Sequence, residues 1–227
     1  MKILTRIHIA DIVTLMNGVC GILAIVFIID KNFFAPSLLI CGGMVMDGLD
    51  GILARRFGSQ GNIGRYLDSI SDSITFCIAP AVMLCGIFYD SSSSIQSVFV
   101  IMAAVMYAVC GLLRLARFTG KHFAEPMFLG LPTPAAALGM IVFCNFFGGE
   151  LTHEFSLMYQ PAVPASLAAV LAILMISRFP YPKFKRWFVY LMGAIFAVSI
   201  VGLLLSWLCW EAAFPPVKLI LKWYVFS

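Results

Sequence analysis

Charge is what this sequence has least of. Asp, Glu, Lys and Arg make up 11% of its 227 residues, and hydrophobic residues make up 62%. About a quarter of a soluble domain is charged. The shortage excludes a water-soluble globular chain and points to a protein embedded in a bilayer. Strict alternation of apolar and polar residues is missing too. The long segments are oily on every side, which excludes the closed β-barrel, the other architecture that satisfies its backbone in lipid. Seven cysteines (Cys20, Cys41, Cys77, Cys85, Cys110, Cys144 and Cys209) contain no CxxC pair, and most lie inside apolar runs. They read as small packing residues, not as a disulfide or thiolate–metal framework. The three histidines, His8, His122 and His153, are scattered and read as surface or interface residues. No small-residue cleavage pattern comes after the first apolar run, so the N-terminal segment does not read as a removable signal peptide. The net charge of +4 reflects topology and does not suggest nucleic acid.

Five stretches lack Asp, Glu, Lys and Arg over a bilayer's length: 12–29, 91–113, 126–149, 155–177 and 187–210. A spanning helix needs about 17–25 residues. Two further stretches, 33–46 and 73–89, are shorter. The first would rise only about 21 Å, so its helix must run on through Asp47, Asp50 and Ala54. The second gains length if its helix starts near Gly64. Both helix ends meet at the polar turn Gly58-Ser59-Gln60-Gly61-Asn62. The fold class is therefore all-α: a polytopic transmembrane bundle of about seven spans (six to eight), forming one domain over 1–227. The spans fall near 11–30, 35–57, 64–89, 94–117, 129–148, 160–178 and 187–210. The tail 211–227 holds Pro215, Pro216, Lys218 and Lys222. It reads either as an interfacial segment or as a partial eighth span.

Basic residues orient the bundle. With the N-terminus in the cytoplasm, Lys2, Arg6, Arg55, Arg56, Arg65, Arg114, Arg117, Lys121, Arg178, Lys183, Lys185 and Arg186 lie inside. Only Lys31, Lys218 and Lys222 lie outside. This bias predicts an integral membrane protein whose polar turn faces the cytoplasm.

Four aspartates stand where membrane spans should be, in MDGLDGILARRFGSQGNIGRYLDSISDS. An aspartate at the centre of a membrane helix costs about 2.5–3.5 kcal/mol, and less near the interface. Residues kept at such a cost are functional by default. Asp47 and Asp50 are spaced i, i+3, and Asp68 and Asp72 i, i+4. Each pair shares a helical stripe, and a short turn lets the two stripes face each other. Converging carboxylates repel unless hard cations join them. Oxygen-only ligands suit Mg²⁺, Mn²⁺ or Ca²⁺, and the absence of His or Cys beside them argues against zinc. Gly48, Gly51 and Ala54 alternate with the acids. Small residues, Gly43 and Gly51 included, also make helix-packing seams. Beside four acids and Arg55, room for a ligand is the preferred reading. Arg55 can grip a phosphate bidentately, while Arg56 reads as a membrane-face charge. A metal pair flanked by arginine at headgroup level suggests phosphoryl-group chemistry, with one aspartate free to take a proton from an incoming hydroxyl.

The spacing Asp47-x2-Asp50-Gly51-x2-Ala54-Arg55-x8-Gly64-x3-Asp68-x3-Asp72, over 47–72, resembles the full signature of the CDP-alcohol phosphatidyltransferase family. The resemblance implies transfer of a phosphatidyl group from a CDP-linked lipid to an alcohol, with release of CMP. It implies that Asp47, Asp50, Asp68 and Asp72 hold two divalent cations, Mg²⁺ or Mn²⁺ with Ca²⁺ a further candidate. Asp72 would also be the catalytic general base. Asp50, Gly51, Ala54 and Gly64 would lie on the nucleotide side, Arg55 on the phosphates, and Asn17 near the nucleotide. Further stretches are similar to the phosphatidylserine (or archaetidylserine) synthase branch: Asp68 to Ser73 with Phe76 and Ala79-Pro80, Gly111 to Phe118, Gly130 to Ala137, and Tyr181 to Lys185. They imply L-serine as acceptor and CDP-diacylglycerol or CDP-archaeol as donor. The resemblance also implies a homodimer in the lipid bilayer. Two positions depart from the pattern: Cys77 stands where a glycine is common and Thr119 where an asparagine is common.

Arg114 and Arg117 end the fourth span one turn apart. They read equally as positive-inside anchors or as acceptor contacts for a carboxylate or phosphate. Lys121, Lys183, Lys185 and Arg186 read as headgroup contacts. Pro80 predicts a kink in the third span. Three rival readings stand beside serine transfer. The first is the same chemistry with inositol phosphate or glycerol phosphate, which calls for a denser basic pocket. The second is a cation channel or transporter. It is disfavoured because the acids sit at one face and no inverted repeat relates the two halves. The third is a structural scaffold, which leaves the cost of four acids unexplained.

Overall fold

Pattern and caps divide the chain into helices with short connections. The structure, a computed structural model, describes residues 9–31, 34–57, 62–89, 94–120, 130–147 and 162–177. Among the described residues all regular structure is helical: α1 (Ile9–Ile29), α2 (Phe34–Phe57), α3 (Asn62–Asp72), a π-helical turn (Ser73–Ile78), α4 (Ala79–Phe88), α5 (Ser94–Gly120), α6 (Thr133–Phe147) and α7 (Ala162–Ile176). These helices all belong to one compact unit, residues 1–183. The expected span 187–210 and the tail 211–227 lie outside the described residues, as do the three histidines and the turn residues 58–61.

Four segments are long and apolar enough to cross a bilayer: Ala10–Ile29, Phe34–Ala54, Gly64–Phe88 and Ile95–Thr119. They match the first four predicted spans. Within the described residues the next two helices are shorter than those spans. α6 and α7 have 15 residues each, a rise of about 22 Å against a hydrocarbon core of about 30 Å. The predicted span 129–148 starts late for a local reason. Gly130 has φ +83°, a left-handed conformation that excludes helix, and Pro132 stands two residues on. That backbone lets Leu131 N–H donate to the carbonyl of Leu174 at 3.0 Å, so the loop before α6 satisfies a carbonyl in the last turn of α7.

α1 packs most extensively on α2, and α5 on α7, with the α3–α4 run between them. The exposure of α1 is inverted relative to a soluble helix. Ile12, Leu15, Val19 and Ile22 face outward, while Asp11, Thr14 and Asn17 are buried. An apolar solvent makes this stable, because lipid accepts the outer face and the polar groups must find partners inside. The larger apolar core joins α4 to α7 through Met83, Leu84, Phe88, Val100, Tyr107, Met140 and Met175. A smaller one links α1, α2, the π turn and α6 through Ala24, Ile40, Phe76 and Ile141. Asn145 on α6 donates to Ser37 Oγ on α2 at 2.6 Å. The six cysteines in the described residues are free thiols, in keeping with their reading as packing residues.

A π turn, Ser73–Ile78, directly precedes the helix that carries Pro80 in its first turn. Pro80 has no N–H for the carbonyl of Phe76, four residues back. Tyr107, fully buried on α5, donates its hydroxyl to that carbonyl at 3.1 Å.

Candidate active site

The polar face of α1 is built first, by spacing. Asp11, Thr14 and Asn17 recur every third residue and lie on one side of the helix, each less than a tenth exposed. Thr14 Oγ1 lies 3.0 Å from the Ala10 carbonyl and 2.6 Å from Asp50 Oδ2. Its single proton belongs to the shorter, charge-assisted contact. Asn17 Nδ2 donates to Asp72 Oδ1 at 2.9 Å. One helix thus holds one carboxylate from α2 and one from α3.

Asp47 and Asp50 on α2 and Asp68 on α3 converge. Each offers a carboxylate oxygen, and these oxygens lie within 4.8 Å of one another. Asp68 Oδ1 is buried and has no hydrogen-bond partner among the described residues. A buried acceptor left so costs about 1–3 kcal/mol. Three like charges at this separation, with an orphaned oxygen among them and no nitrogen or sulfur donor, fit a hard divalent cation. Asp72 is outside this trio. It is buried and within electrostatic reach of Asp47 and Asp68.

Beside the trio lies a cavity of about 90 Å³ lined by Ala10, Asp11, Thr14, Asp50, Gly51, Ala54, Gly64, Arg65 and Asp68. The glycines divide by role. A Cβ on Gly48 or Gly51 would meet nothing within 4 Å, whereas one on Gly43 would stand 2.6 Å from Thr75 Cγ2 and 2.7 Å from Asn17 Oδ1. Gly43 is therefore a packing position and Gly51 opens space. On Gly64 a Cβ would lie 2.8 Å from Asp11 Oδ1, so the absent side chain admits a third carboxylate to the wall beside Asp50 and Asp68.

On α5, Arg114 is buried. Its guanidinium stacks on Phe118, 4.7 Å from the ring centroid. Its Nη1 makes a long 3.4 Å contact to Thr133 Oγ1 at the start of α6. Its Nε has no partner among the described residues, and Asp72 and Cys77 are its electrostatic neighbours. Cys77 fits because α5 carries Gly111, where a Cβ would stand 2.6 Å from the cysteine sulfur. Thr119 meets Ser69 at 2.6 Å between hydroxyl oxygens, which ties α5 to α3. Arg117 is half-buried, one turn beyond Arg114.

The structure thus brings Asp47, Asp50 and Asp68 together, sets Asp72 against Asn17, and puts Gly51, Ala54 and Gly64 on the cavity wall. Asn17 is not among the residues lining that cavity. The side chain of Arg55 lies outside the described set. Asp11 joins the site without belonging to any motif in the sequence, and Thr14 joins it from the head of the stretch Thr14-Leu15-Met16-Asn17. Their signal is the recurrence of polar residues at 11, 14 and 17 in an otherwise apolar span.

A family model described as CDP-alcohol phosphatidyltransferase matches residues 7–215. The CDP-diacylglycerol--serine O-phosphatidyltransferase of Methanocaldococcus jannaschii is 35% identical over 198 residues, covering 87% of this chain and 85% of that protein. The protein of the same name from Bacillus subtilis is 31% identical over 179 residues, 79% of this chain and 92% of its own. The archaetidylserine synthase of Methanothermobacter thermautotrophicus is 30% identical over 185 residues, 80% of this chain and 72% of its own.

Proposed function

The chain belongs to the CDP-alcohol phosphatidyltransferase family, and from that premise we propose that it transfers a phosphatidyl or archaetidyl group from a CDP-linked lipid to the hydroxyl of L-serine. The observation that carries the reading is the approach of Asp47, Asp50 and Asp68 within 4.8 Å, from two neighbouring helices of an integral membrane protein. The names of three relatives support serine as acceptor.

In this reaction the serine oxygen attacks the lipid-side phosphorus of the diphosphate. The bond from that phosphorus to the bridging oxygen breaks, and CMP leaves with the bridging oxygen and its electron pair. Asp72 Oδ2 takes the hydroxyl proton. Asp47, Asp50 and Asp68, joined by Asp72, would hold two divalent cations, Mg²⁺ or Mn²⁺, which would supply positive charge for the diphosphate and the leaving phosphate. Gly51, Ala54 and Gly64 leave room for the nucleotide, and Arg55 contacts the phosphates. Arg114 is the buried cation among the described side chains. Its single unpartnered Nε suits one carboxylate, such as that of serine, better than the phosphate of inositol phosphate or glycerol phosphate. Arg117 assists from the next turn.

The same proposal includes the wider arrangement. The chain forms one domain of seven spans, the seventh at 187–210. The N-terminus and the site lie at the cytoplasmic face, and the protein is a homodimer. The testing experiment is direct. Purified protein in detergent, given CDP-diacylglycerol, Mg²⁺ or Mn²⁺ and labelled serine, should release CMP and label the lipid. Release with inositol phosphate or glycerol phosphate but not with serine would overturn the acceptor assignment.

A further inference from the structure

We infer that Asn17 is a positioning residue whose amide fixes which oxygen of Asp72 faces the acceptor hydroxyl. This rests on the reading of Asp72 as general base. The amide nitrogen donates to Asp72 Oδ1 at 2.9 Å, the one hydrogen bond to that carboxylate among the described residues. Oδ1 is therefore engaged and Oδ2 is the oxygen left for chemistry.

Asn17 is fully buried. Its own Oδ1 lies on the Gly43 side, 2.7 Å from where a Cβ there would stand, and has no hydrogen-bond partner among the described residues. Rotating the amide by half a turn would bring its oxygen against the Asp72 oxygen. That replaces a charge-assisted bond with a repulsion. The Asn17 backbone is tied as well: Thr75 Oγ1, in the π turn three residues after Asp72, donates to the Asn17 carbonyl at 2.9 Å. Two bonds thus join the same two stretches of chain, one through the side chain of Asn17 and one through its backbone. Close backbone approach makes both possible. A Cβ on Gly21 would stand 2.8 Å from Thr75 Cα, and one on Gly18 would stand 3.0 Å from Ser71 Oγ.

The consequence is kinetic. The terminal torsion of a carboxylate is broad and two-fold, so an untethered Asp72 would offer either oxygen and spend time misdirected. Fixing it beforehand removes that cost from the barrier. Thr14 does the same for Asp50 one turn earlier, on the cation side. Asn17 should therefore govern turnover and leave the affinity for the CDP-linked lipid alone.

The test compares wild type with Asn17→Leu, which keeps the branched four-atom side chain and removes the donor, and with Asn17→Asp, which keeps the planar shape and sets a carboxylate against the Asp72 carboxylate. CMP release with serine gives kcat and both KM values. CDP binding and the thermal unfolding midpoint are measured on the same detergent-solubilised samples. Both variants should lose about ten- to a hundredfold in kcat, the range seen when an orienting partner is removed. KM for the CDP-linked lipid and CDP affinity should stay unchanged, while the unfolding midpoint of the Leu variant falls because the buried Asp72 carboxylate loses its donor. Turnover within threefold of wild type in Asn17→Leu would overturn the inference. So would a rise in the lipid KM at unchanged kcat, which would make Asn17 a nucleotide contact. Wild type that releases no CMP with any acceptor would overturn the functional reading and this inference together, whereas an active Asn17→Leu overturns the inference alone.

Discussion

The hydroxyl of Tyr107 and the carbonyl of Phe76 lie 3.1 Å apart as donor and acceptor, and the bond joins α5 to the π turn at a carbonyl to which Pro80, four residues on, has no N–H to donate. Tyr107→Phe keeps the ring and removes the donor. A buried carbonyl without a partner costs about 1–3 kcal/mol. The variant should therefore unfold at lower temperature in detergent, with KM values unchanged. An unfolding midpoint equal to wild type would show that the π turn does not need this support.

Asp72→Asn should stop CMP release while leaving the fold and CDP binding in place. General-base removal lowers rates by about a hundred- to ten-thousandfold, and the isosteric amide preserves the packing around Asn17. Undiminished release would give the base role to another group.

Arg114→Lys retains a positive charge and loses the unpartnered Nε. A hydrogen bond to a charged group contributes about 1.5–3 kcal/mol. KM for serine should therefore rise about ten- to a hundredfold, and KM for the CDP-linked lipid should hold. Parallel rises in both would mean that Arg114 supports the bundle and not the acceptor.

Two glycine variants separate packing from space. In Gly21→Ala the new Cβ would press on Thr75 backbone atoms, at 2.8 Å from Cα and 3.0 Å from N. Overpacking of this kind costs about 1–3 kcal/mol, and it should lower kcat by parting Asn17 from Asp72. Gly48→Ala meets nothing within 4 Å and should be neutral or slightly stabilising, by up to about 1 kcal/mol of helix propensity. Heat-challenge survival in detergent, with kcat measured alongside, checks both.

The first four spans and the acidic trio are legible in the sequence because each depends on local pattern. Hydropathy reports length, and i, i+3 or i, i+4 spacing reports which acids share a stripe. Thr14 and Asp11 are not legible in this way because their meaning lies at a distance: the partner of Thr14 is 36 positions away and that of Asn17 is 55. Hydropathy averaging also hides three polar residues inside a strongly apolar run. The π turn escapes for a similar reason. Pro80 announces a lost bond, but the group that replaces it, Tyr107, sits 31 residues on from Phe76. The small-residue seam is half legible, since spacing alone cannot tell Gly43, which is packed, from Gly51, which faces open space.

Mn²⁺ binding to the detergent-solubilised protein, monitored by electron paramagnetic resonance with and without CDP, tests most directly whether acids from two helices share cations. The account expects CDP to tighten binding, and it expects Asp47→Asn on α2 and Asp68→Asn on α3 each to weaken it by an order of magnitude or more. Unchanged Mn²⁺ affinity in Asp68→Asn would contradict it, because the carboxylates of α2 and α3 would then not be holding the same ion.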